Sequence, residues 1–304
     1  MTSAVWKNWP WLTGRVNERG EPVMNLDGCV AVVTGGSSGI GQHTALGLAR
    51  RGATVVITGR DSTRLRNAEG WIKARAPMAR IESELVDFAQ LDQVRNAGQR
   101  IVKRHPRIGI LINNAGMITT RRCVTEDGFE MIFQVNHLAP FLLTNLLLPT
   151  LKAGVPSRIV FVASRAADRA TIDFDDLQLE HGWGSMKAYG RSKQANIMTT
   201  YMLAKRLEGT GVTANCLHPG FVASRIGNKG GFYDIAWALL KSLAISPEEG
   251  ATTSLYVAAA PEMAGITGQF LIANKPARSN AQSYDLAACE RLWKDSAKMT
   301  GVDT

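Results

Sequence analysis

The sequence predicts a single-domain α/β fold in which a seven-stranded parallel sheet carries helices on both faces. Short apolar runs alternate with helix-like segments over residues 29–272, and a glycine-rich turn joins the first run to the first helix. Strands that are apolar along their whole length are typical of parallel sheets, because both faces of such sheets are buried. Right-handed crossover connections then give a doubly wound arrangement.

The predicted elements follow one another without a long linker or an internal repeat. The strands are expected at residues 29–33, 54–58, 81–86, 108–112, 158–163, 212–217 and 270–272. The helices are expected from the glycine-rich turn to residue 51 and at residues 62–76, 91–105, 129–148 and 188–207. We therefore predict one domain over residues 26–304, preceded by an N-terminal arm of residues 1–25.

The formal net charge of the 304-residue chain is +9. This charge fits an anionic ligand, a nucleic acid or an anionic membrane. Basic residues do not cluster with aromatic ones, so nucleic acid is not predicted, whereas a phosphate-rich cofactor fits the same sign. The four cysteines lie far apart and form no C-x-x-C pair, which argues against a zinc site and a disulfide framework. They indicate a reducing compartment, and we expect a cytoplasmic location.

Two segments bear on membrane contact. The longest apolar stretch, residues 141–151, is interrupted by polar residues and is shorter than the roughly 20 residues of a membrane-spanning helix. Residues 1–25 lack the continuous apolar core of a secretory signal. They do contain Trp6, Trp9 and Trp11, which could contact a membrane surface or a partner. The favoured alternative is an arm folded onto the protein's own surface.

The turn after the first predicted strand reads T-G-G-S-S-G-I-G over residues 34–41. Glycine permits a tight turn and lets a diphosphate approach the amides at a helix N-terminus, where the helix dipole favours anions. The alternative is a strand-to-helix turn without a ligand, but the position between a buried strand and a helix favours binding. The candidate cofactor-binding residues of this turn are Gly35, Ser37, Ser38, Gly39, Ile40 and Gly41.

Tyr189 and Lys193 lie four residues apart within a predicted helix, so their side chains share one face. The pKa of free tyrosine is about 10, which is too high for proton exchange near neutrality. A neighbouring ammonium group lowers that pKa. The spacing alone occurs often by chance, but together with the glycine-rich turn it indicates an acid–base centre.

These motifs resemble those of the short-chain dehydrogenase/reductase family, which has a Rossmann fold, and the resemblance covers about residues 26–270. It implies that Tyr189 is the catalytic acid or base and that Lys193 also holds the nicotinamide ribose. Ser164 would bond to the substrate oxygen, and Asn136 would support a proton-relay water. The alternative for Asn136 is a helix-interior amide that bonds to backbone.

The same resemblance assigns further cofactor contacts. Asp87 would hold the adenine amino group, and the sequence N-N-A-G, residues 113–116, would support the sheet and line the adenosine side. Pro219 and Gly220 would lie beside the nicotinamide. The positions that match the family in N-N-A-G and bear on the cofactor are Asn114, Ala115 and Gly116.

The end of the second predicted strand bears on the choice of cofactor. NAD-specific enzymes place an acidic residue there, and NADP-specific enzymes place an arginine that binds the 2′-phosphate. This chain has Gly59 at the acidic position and Arg60 next to it. We therefore favour NADP(H) over NAD(H), because an arginine fork can bond two phosphate oxygens. The alternative is a surface pair between Arg60 and Asp61.

Two regions of the sequence bear on the substrate class. The 25-residue interval from Ser164 to Tyr189, its segment 173–177 and the sequence H-P-G at 218–220 resemble the retinol dehydrogenase and WW-domain oxidoreductase branch. That branch acts on lipophilic alcohols and ketones such as retinoids and steroids. Residues 220–246 mix glycine with aromatic residues and are predicted to form a substrate loop, with a packed lid or an oligomer contact as alternatives.

We therefore predict an NADP(H)-dependent oxidoreductase that interconverts a carbonyl and an alcohol on a lipophilic small molecule of retinoid, steroid or secondary-metabolite type. The alternatives are carbon–carbon double-bond reduction, epimerisation, or a regulatory NADP(H)-binding protein without catalysis. The family's habit of pairing the helices at 129–148 and 188–207 implies a homodimer. His137, His181 and His218 are irregularly spaced without an acidic cluster, so no metal is predicted.

Overall fold

The computed structural model describes residues 15–16, 22–221 and 245–303. The tryptophan-rich segment at residues 6–11 and most of the predicted substrate loop at 220–246 lie outside these ranges. Neither expectation can be compared with the structure. The remaining elements contain every predicted catalytic and cofactor-binding residue.

The predicted parallel sheet is present, with one additional strand. The strands are β1 (Arg15–Val16), β2 (Pro22–Val23), β3 (Val30–Val33), β4 (Thr54–Gly59), β5 (Arg80–Leu85), β6 (Ile110–Asn113), β7 (Ser157–Val162), β8 (Val212–His218), β9 (Phe270–Ile272) and β10 (Lys275–Ala277). The main sheet has the order β10-β9-β8-β7-β6-β3-β4-β5, while β1 and β2 pair separately. Strands β3 to β9 are parallel, which confirms the seven predicted strands, and β10 adds an antiparallel edge.

All five predicted helices are present, with bounds that differ from the predicted ones by up to five residues, and two further helices follow. The helices are α1 (Gly39–Ala49), α2 (Ser62–Arg75), α3 (Leu91–Arg104), α4 (Met131–Ala153), α5 (Ser185–Arg206), α6 (Pro247–Ala259) and α7 (Leu286–Thr300). Helix α6 begins with a complete capping box in which the Ser246 hydroxyl and the Glu249 carboxylate each accept the other residue's backbone N–H. The bounds of α6 and α7 were not predicted.

Alternating strand residues feed two apolar cores, one on each face of the sheet. Val32, Leu111 and Ile159 belong to the core beneath α3, α4, α5 and α7. Val33, Ile112 and Val160 belong to the core beneath α1, α2 and α6. This two-sided burial is the reason that the strands are apolar along their whole length.

Helix α7 covers part of the surface that α4 and α5 share. Leu292 and Trp293 are buried in the same core as the two helices, and the Trp293 ring lies 4.8 Å from the Phe141 ring between centroids. The expected homodimer rests on the family's habit of pairing these two helices with a partner. Helix α7 occupies part of the surface that such a partner would cover.

Helix α4 is longer than its sequence suggests. It spans 23 residues and, among the described residues, is the single helix long and apolar enough to cross a membrane, although 78% of its most apolar window is buried in the protein. Pro149 lies inside the helix, just before its last turn, and its missing N–H removes one backbone hydrogen bond there. The stretch expected at residues 141–151 is thus the second half of a core helix.

All parallel strands point the same way, so the loops that follow them meet along one edge of the sheet. Strand β3 lies between β4 and β6, and the order of the strands reverses at this position. Ligands of doubly wound sheets bind outside the carboxyl ends of the strands at such a reversal. The predicted site residues follow β3, β4, β5, β6, β7 and β8.

Candidate active site

The glycine-rich turn forms an open cradle at the start of α1. Gly35 and Gly39 adopt left-handed backbone conformations, with φ of +65° and +56°. A Cβ atom at Gly39 would meet no atom within 4 Å, whereas one at Gly41 would lie 2.4 Å from Asn114 Nδ2. Position 39 therefore requires glycine for its left-handed conformation, and position 41 requires glycine for close packing.

The N-terminus of α1 is suited to an anion. Its N-cap residue Ser38 makes no side-chain capping hydrogen bond, and its first turn contains no acidic residue. Ile40 and Gly41 stand in this first turn, so backbone N–H groups converge on the space above Gly39. The cradle that a Cβ would fill and the uncapped amides both fit the diphosphate of a dinucleotide.

Thr34 joins the turn after β3 to the turn after β6. Its Oγ1 accepts hydrogen bonds from the backbone N–H groups of Asn114 and Ala115, each at 2.9 Å. In return, Asn114 Nδ2 donates to the Thr34 carbonyl oxygen at 2.8 Å. The sequence N-N-A-G thus holds the cradle in place. Thr34 was not singled out from the sequence, although it is the first letter of the motif.

The ends of β4 and β5 place polar groups beside the cradle. A Cβ atom at Gly59 would lie 3.1 Å from Ser37 Oγ, so Ser37 lies against the end of β4, and the exposed Arg60 follows directly. The Asp61 carboxylate caps α2 and pairs with Arg64 at 3.7 Å. Asp61 therefore pairs with Arg64 and not with Arg60, which was the alternative expected from the sequence.

Asp87 follows β5 in a tight local structure. One of its carboxylate oxygens accepts a hydrogen bond from the Ala89 backbone N–H at 2.9 Å, and its own N–H donates to Gln93 Oε1 at 3.0 Å. The second carboxylate oxygen leaves acceptor capacity for an amino group. The position fits the expected adenine contact.

Three predicted catalytic residues converge where α5 passes the end of β7. Burial raises the pKa of Tyr189, and the interaction of its hydroxyl with the Ser164 side chain lowers this pKa by less. Lys193 Nζ lies 5.6 Å from the centre of the Tyr189 ring and donates to the Val162 carbonyl at 2.8 Å. Burial lowers the pKa of Lys193 to about 8.

Asn136 occupies a π-helical turn, Gln134–Leu138, within α4. Its side-chain amide accepts from the Met117 backbone N–H at 2.7 Å and donates to the Met117 carbonyl at 2.9 Å and to Ser192 Oγ at 3.0 Å. These contacts match the backbone-bonding alternative. They also place Asn136 in the catalytic group, because a Cβ atom at Gly116 would lie 3.4 Å from both Asn136 Oδ1 and Lys193 Nζ.

The backbone carbonyl of Asn136 has a partner that the sequence did not indicate. Asn196 Nδ2 donates to this oxygen at 2.8 Å, and His137 Nδ1 lies 3.3 Å from Asn196 Oδ1. The other ring nitrogen of His137 lies 2.8 Å from Ser296 Oγ on α7. His137 is therefore a buried histidine with a polar partner at each ring nitrogen, and the relay water at Asn136 stays a prediction.

The turn after β8 closes the site on the far side of β7. Pro219 and Gly220 follow His218, whose Nδ1 accepts from the Arg165 backbone N–H at 3.4 Å. Gly220 has a φ of +89°, and a Cβ atom there would lie 2.6 Å from Ile245 Cδ1. Burial, with the nearby Arg165, lowers the pKa of His218.

A cavity of about 1140 Å³ opens between the segment that follows Ser164 and the first turns of α5. Its lining includes Arg165 and Ala166, which follow Ser164, and Met186 and Gly190, which flank Tyr189 along the chain. Ser164, Tyr189 and Lys193 do not line this cavity, whereas charged side chains such as those of Asp168, Lys187 and Arg191 do. In the part of the chain that the structure describes, no group of three or more histidine, cysteine or acidic side chains could hold a metal ion.

Comparisons with known proteins agree with this arrangement. The short chain dehydrogenase family model matches residues 29–230. Retinol dehydrogenase 14 from Homo sapiens is 39% identical over 310 residues, which cover 95% of this chain and 90% of the relative. Polyprenol dehydrogenase from Homo sapiens is 37% identical over 289 residues, which cover 90% of this chain and 85% of the relative.

A solved structure extends the comparison to a bound cofactor. The RhlG/NADP active-site complex from Pseudomonas aeruginosa superimposes with a TM-score of 0.66 at 28% identity. The match covers 82% of this chain and 96% of that one. The fold is thus shared with a protein whose structure was solved as an NADP complex.

Proposed function

Because the chain belongs to the short-chain dehydrogenase family, we propose that it is an NADP(H)-dependent oxidoreductase acting on lipophilic alcohols and their carbonyl counterparts. The names of the two human relatives support this substrate class, since retinol and polyprenols are both apolar alcohols.

The convergence of Tyr189, Ser164 and Lys193 at the end of β7 carries the proposal. Bound NADPH would supply the hydride. Tyr189 would give its hydroxyl proton to the carbonyl oxygen during reduction, and Ser164 would donate a hydrogen bond to the same oxygen. In the oxidative direction Tyr189 would take the alcohol proton.

Lys193 would act on this proton through its charge. Its pKa of about 8 leaves it mostly protonated at neutral pH, even though burial disfavours the charged form. An ammonium group near the phenol favours the phenolate and would offset the rise that burial imposes on the pKa of Tyr189. Lys193 would also hold the nicotinamide ribose.

The preference for NADP(H) over NAD(H) is proposed from the end of β4. Arg60 is exposed there, Ser37 lies against Gly59, and no carboxylate takes the position of Gly59. A phosphate dianion would find a guanidinium and a hydroxyl at this point. The NADP complex of the Pseudomonas aeruginosa protein supports the same choice.

A cytoplasmic location is proposed from the cysteines. Cys29, Cys123, Cys216 and Cys289 are all free thiols. Free thiols are typical of reducing compartments. A cytoplasmic location is compatible with peripheral membrane contact through Trp6, Trp9 and Trp11, which is a separate proposal.

Replacement of Tyr189 by phenylalanine tests the proposed function. We expect Tyr189→Phe to lower kcat for NADPH-dependent aldehyde reduction by about 100-fold or more, because general acid catalysis contributes that much. NADPH binding, measured by fluorescence titration, should change little. The matched control is Tyr201→Phe on the same helix, which removes a hydroxyl bonded to Ser279 Oγ at 2.8 Å.

Unchanged turnover in Tyr189→Phe would refute catalysis by this residue and favour a regulatory NADP(H)-binding protein. Double-bond reduction and epimerisation are separated by product analysis with labelled NADPH. The proposal requires the label on the former carbonyl carbon. A label on another carbon, or none in the product, would refute it.

A further inference from the structure

An apolar surface lies against one side of Tyr189. Trp183 and Ile118 are both partly exposed and pack with Tyr189 on a small cluster of buried apolar side chains. The buried members of the cluster are Ile132, Leu179 and Ala188. The ring of the proposed acid therefore continues into an apolar wall, which we define as Trp183 and Ile118.

Trp183 is held in one orientation. Its indole Nε1 donates to Glu130 Oε1 at 3.2 Å, and the other carboxylate oxygen of Glu130 accepts from the Phe133 backbone N–H at 2.7 Å. Glu130 is only 1% exposed, so the carboxylate is fixed in the protein interior. The indole has no other polar atom, so the rest of its surface offers only apolar contact.

The wall depends on the long interval between Ser164 and Tyr189. The carbonyls of Gln178 and Leu179 accept hydrogen bonds from the Arg122 guanidinium at 3.2 and 3.0 Å. Gln178 Oε1 accepts from the Glu130 backbone N–H at 2.8 Å. These contacts fix the segment before Trp183 to the loop that follows β6. A shorter interval would lack them.

We propose that Trp183 is a specificity-determining residue that selects substrates with an elongated apolar chain next to the reacting carbon. This inference rests on the proposed function and adds the chemistry of the substrate near the carbonyl. A charged or hydrogen-bonding substituent at the wall would lose its hydration without gaining a partner. A flat, unsaturated hydrocarbon chain would instead cover the indole and the Ile118 side chain.

The test compares a long apolar aldehyde with a short one. For Trp183→Ala we expect kcat/KM for all-trans-retinal to fall about tenfold, mainly through KM, since about 55 Å² of apolar contact is lost. The value for butanal should fall less than about threefold because butanal is too short to cover the wall. Trp183→Phe keeps a flat apolar ring and should restore most of the retinal value. The control is Trp71→Ala on α2, where the Arg75 guanidinium lies over the Trp71 ring and His43 meets it edge-on.

Retinol binding, followed by the fluorescence of retinol itself, supplies a readout without turnover. Trp183→Ala should raise the Kd about tenfold, and Trp71→Ala should leave it unchanged. Equal losses of kcat/KM for retinal and butanal in Trp183→Ala would mean that Trp183 only supports Tyr189. An unchanged Kd for retinol would likewise refute the proposed contact between the substrate chain and Trp183. If the parent protein reduces neither aldehyde, the proposed function fails, and the retinol Kd still decides the role of Trp183.

Discussion

Gly59 and Arg60 lie at the end of β4, where one side chain decides between a ribose hydroxyl and a ribose phosphate. We expect Arg60→Asp to raise the KM for NADPH about 10- to 100-fold, because a charge-assisted hydrogen bond is lost and a like charge faces the phosphate. The KM for NADH should change little or fall. Steady-state kinetics with both cofactors measure the ratio.

Arg66→Asp is the matched control for this change. Arg66 lies on α2 and bonds to Thr63 Oγ1 at 3.1 Å, and its replacement alters the net charge of the protein by the same amount. A similar loss in both variants would show a long-range effect of charge. Equal affinity of the parent protein for NADPH and NADH would contradict the role of Arg60 outright.

Residues whose role follows from spacing were predictable, and residues whose role follows from tertiary contact were not. Tyr189 and Lys193 are four apart, so a single helix already brings them together. Asn196 meets the Asn136 carbonyl across 60 positions of sequence, and Trp183 meets Tyr189 through a loop without periodicity. Nothing local in the sequence distinguishes these two residues from other polar or aromatic side chains.

Helices α4, α5 and α7 meet at the π-helical turn around His137. The imidazole bridges Asn196 on α5 and Ser296 on α7, and the ring is completely buried. A π turn leaves backbone groups outside the regular helical ladder and often marks a functional position. The neutral ring of His137 therefore connects the carbonyl of Asn136 to the cover that α7 provides.

This neutral ring predicts a loss of stability in acid. Burial lowers the pKa of His137 to about 4 from the ordinary value of 6.5. Above pH 6.5 neither state binds a proton, so the contribution is complete. As the pH falls from about 6.5 to about 4, the unfolded chain binds a proton that the folded protein rejects, and up to about 3 kcal/mol of unfolding free energy is lost.

Urea unfolding at pH 7 and pH 5 measures this effect. His137→Gln should show a smaller drop between the two values than the parent protein, because glutamine does not titrate. His181→Gln is the control, since the His181 side chain is 91% exposed. An equal drop in all three proteins would refute the role of His137.

The predicted elements agree with the structure where hydrophobic periodicity is strong. Strand β9 has the predicted bounds, and the other parallel strands differ from them by one or two residues. Strand β10 was not predicted because its sequence K-P-A has no apolar run, and its hairpin turn uses Ala273 at a φ of +48° instead of glycine. The buried residues of helix α7, which follow helical spacing, are Cys289, Leu292, Trp293, Ser296, Ala297 and Thr300. This helix was missed because Ser296 and Thr300 are polar and weaken the apolar pattern.

At the scale of the whole molecule, α7 covers part of the surface of α4 and α5 that a second copy of the protein would otherwise cover. Cys289, Leu292 and Trp293 are at most 4% exposed, and Arg206 of α5 lies 4.6 Å from the centre of the Trp293 ring. We therefore expect the protein to have the mass of one chain in solution over the micromolar range. Sedimentation equilibrium or mass photometry measures this quantity directly.

A concentration-independent dimer would contradict this expectation if cross-links joined α4 or α5 of the two copies. The variant Trp293→Ala offers a second arm, because removal of a buried tryptophan typically costs about 3–5 kcal/mol. It should loosen α7 and uncover the apolar surface below. Association that appears only in this variant would support intramolecular cover in the parent protein.

The late position of α7 in the chain has a consequence for biosynthesis. Helix α5 ends at Arg206 and α7 begins at Leu286, so a ribosome must add the intervening residues before the cover can dock. Until then the apolar surface of α4 and α5 faces water in the nascent chain, where it can attract chaperones or other unfinished chains. The side of the sheet that carries the proposed acid–base centre is thus completed after its opposite side has acquired α1 and α2.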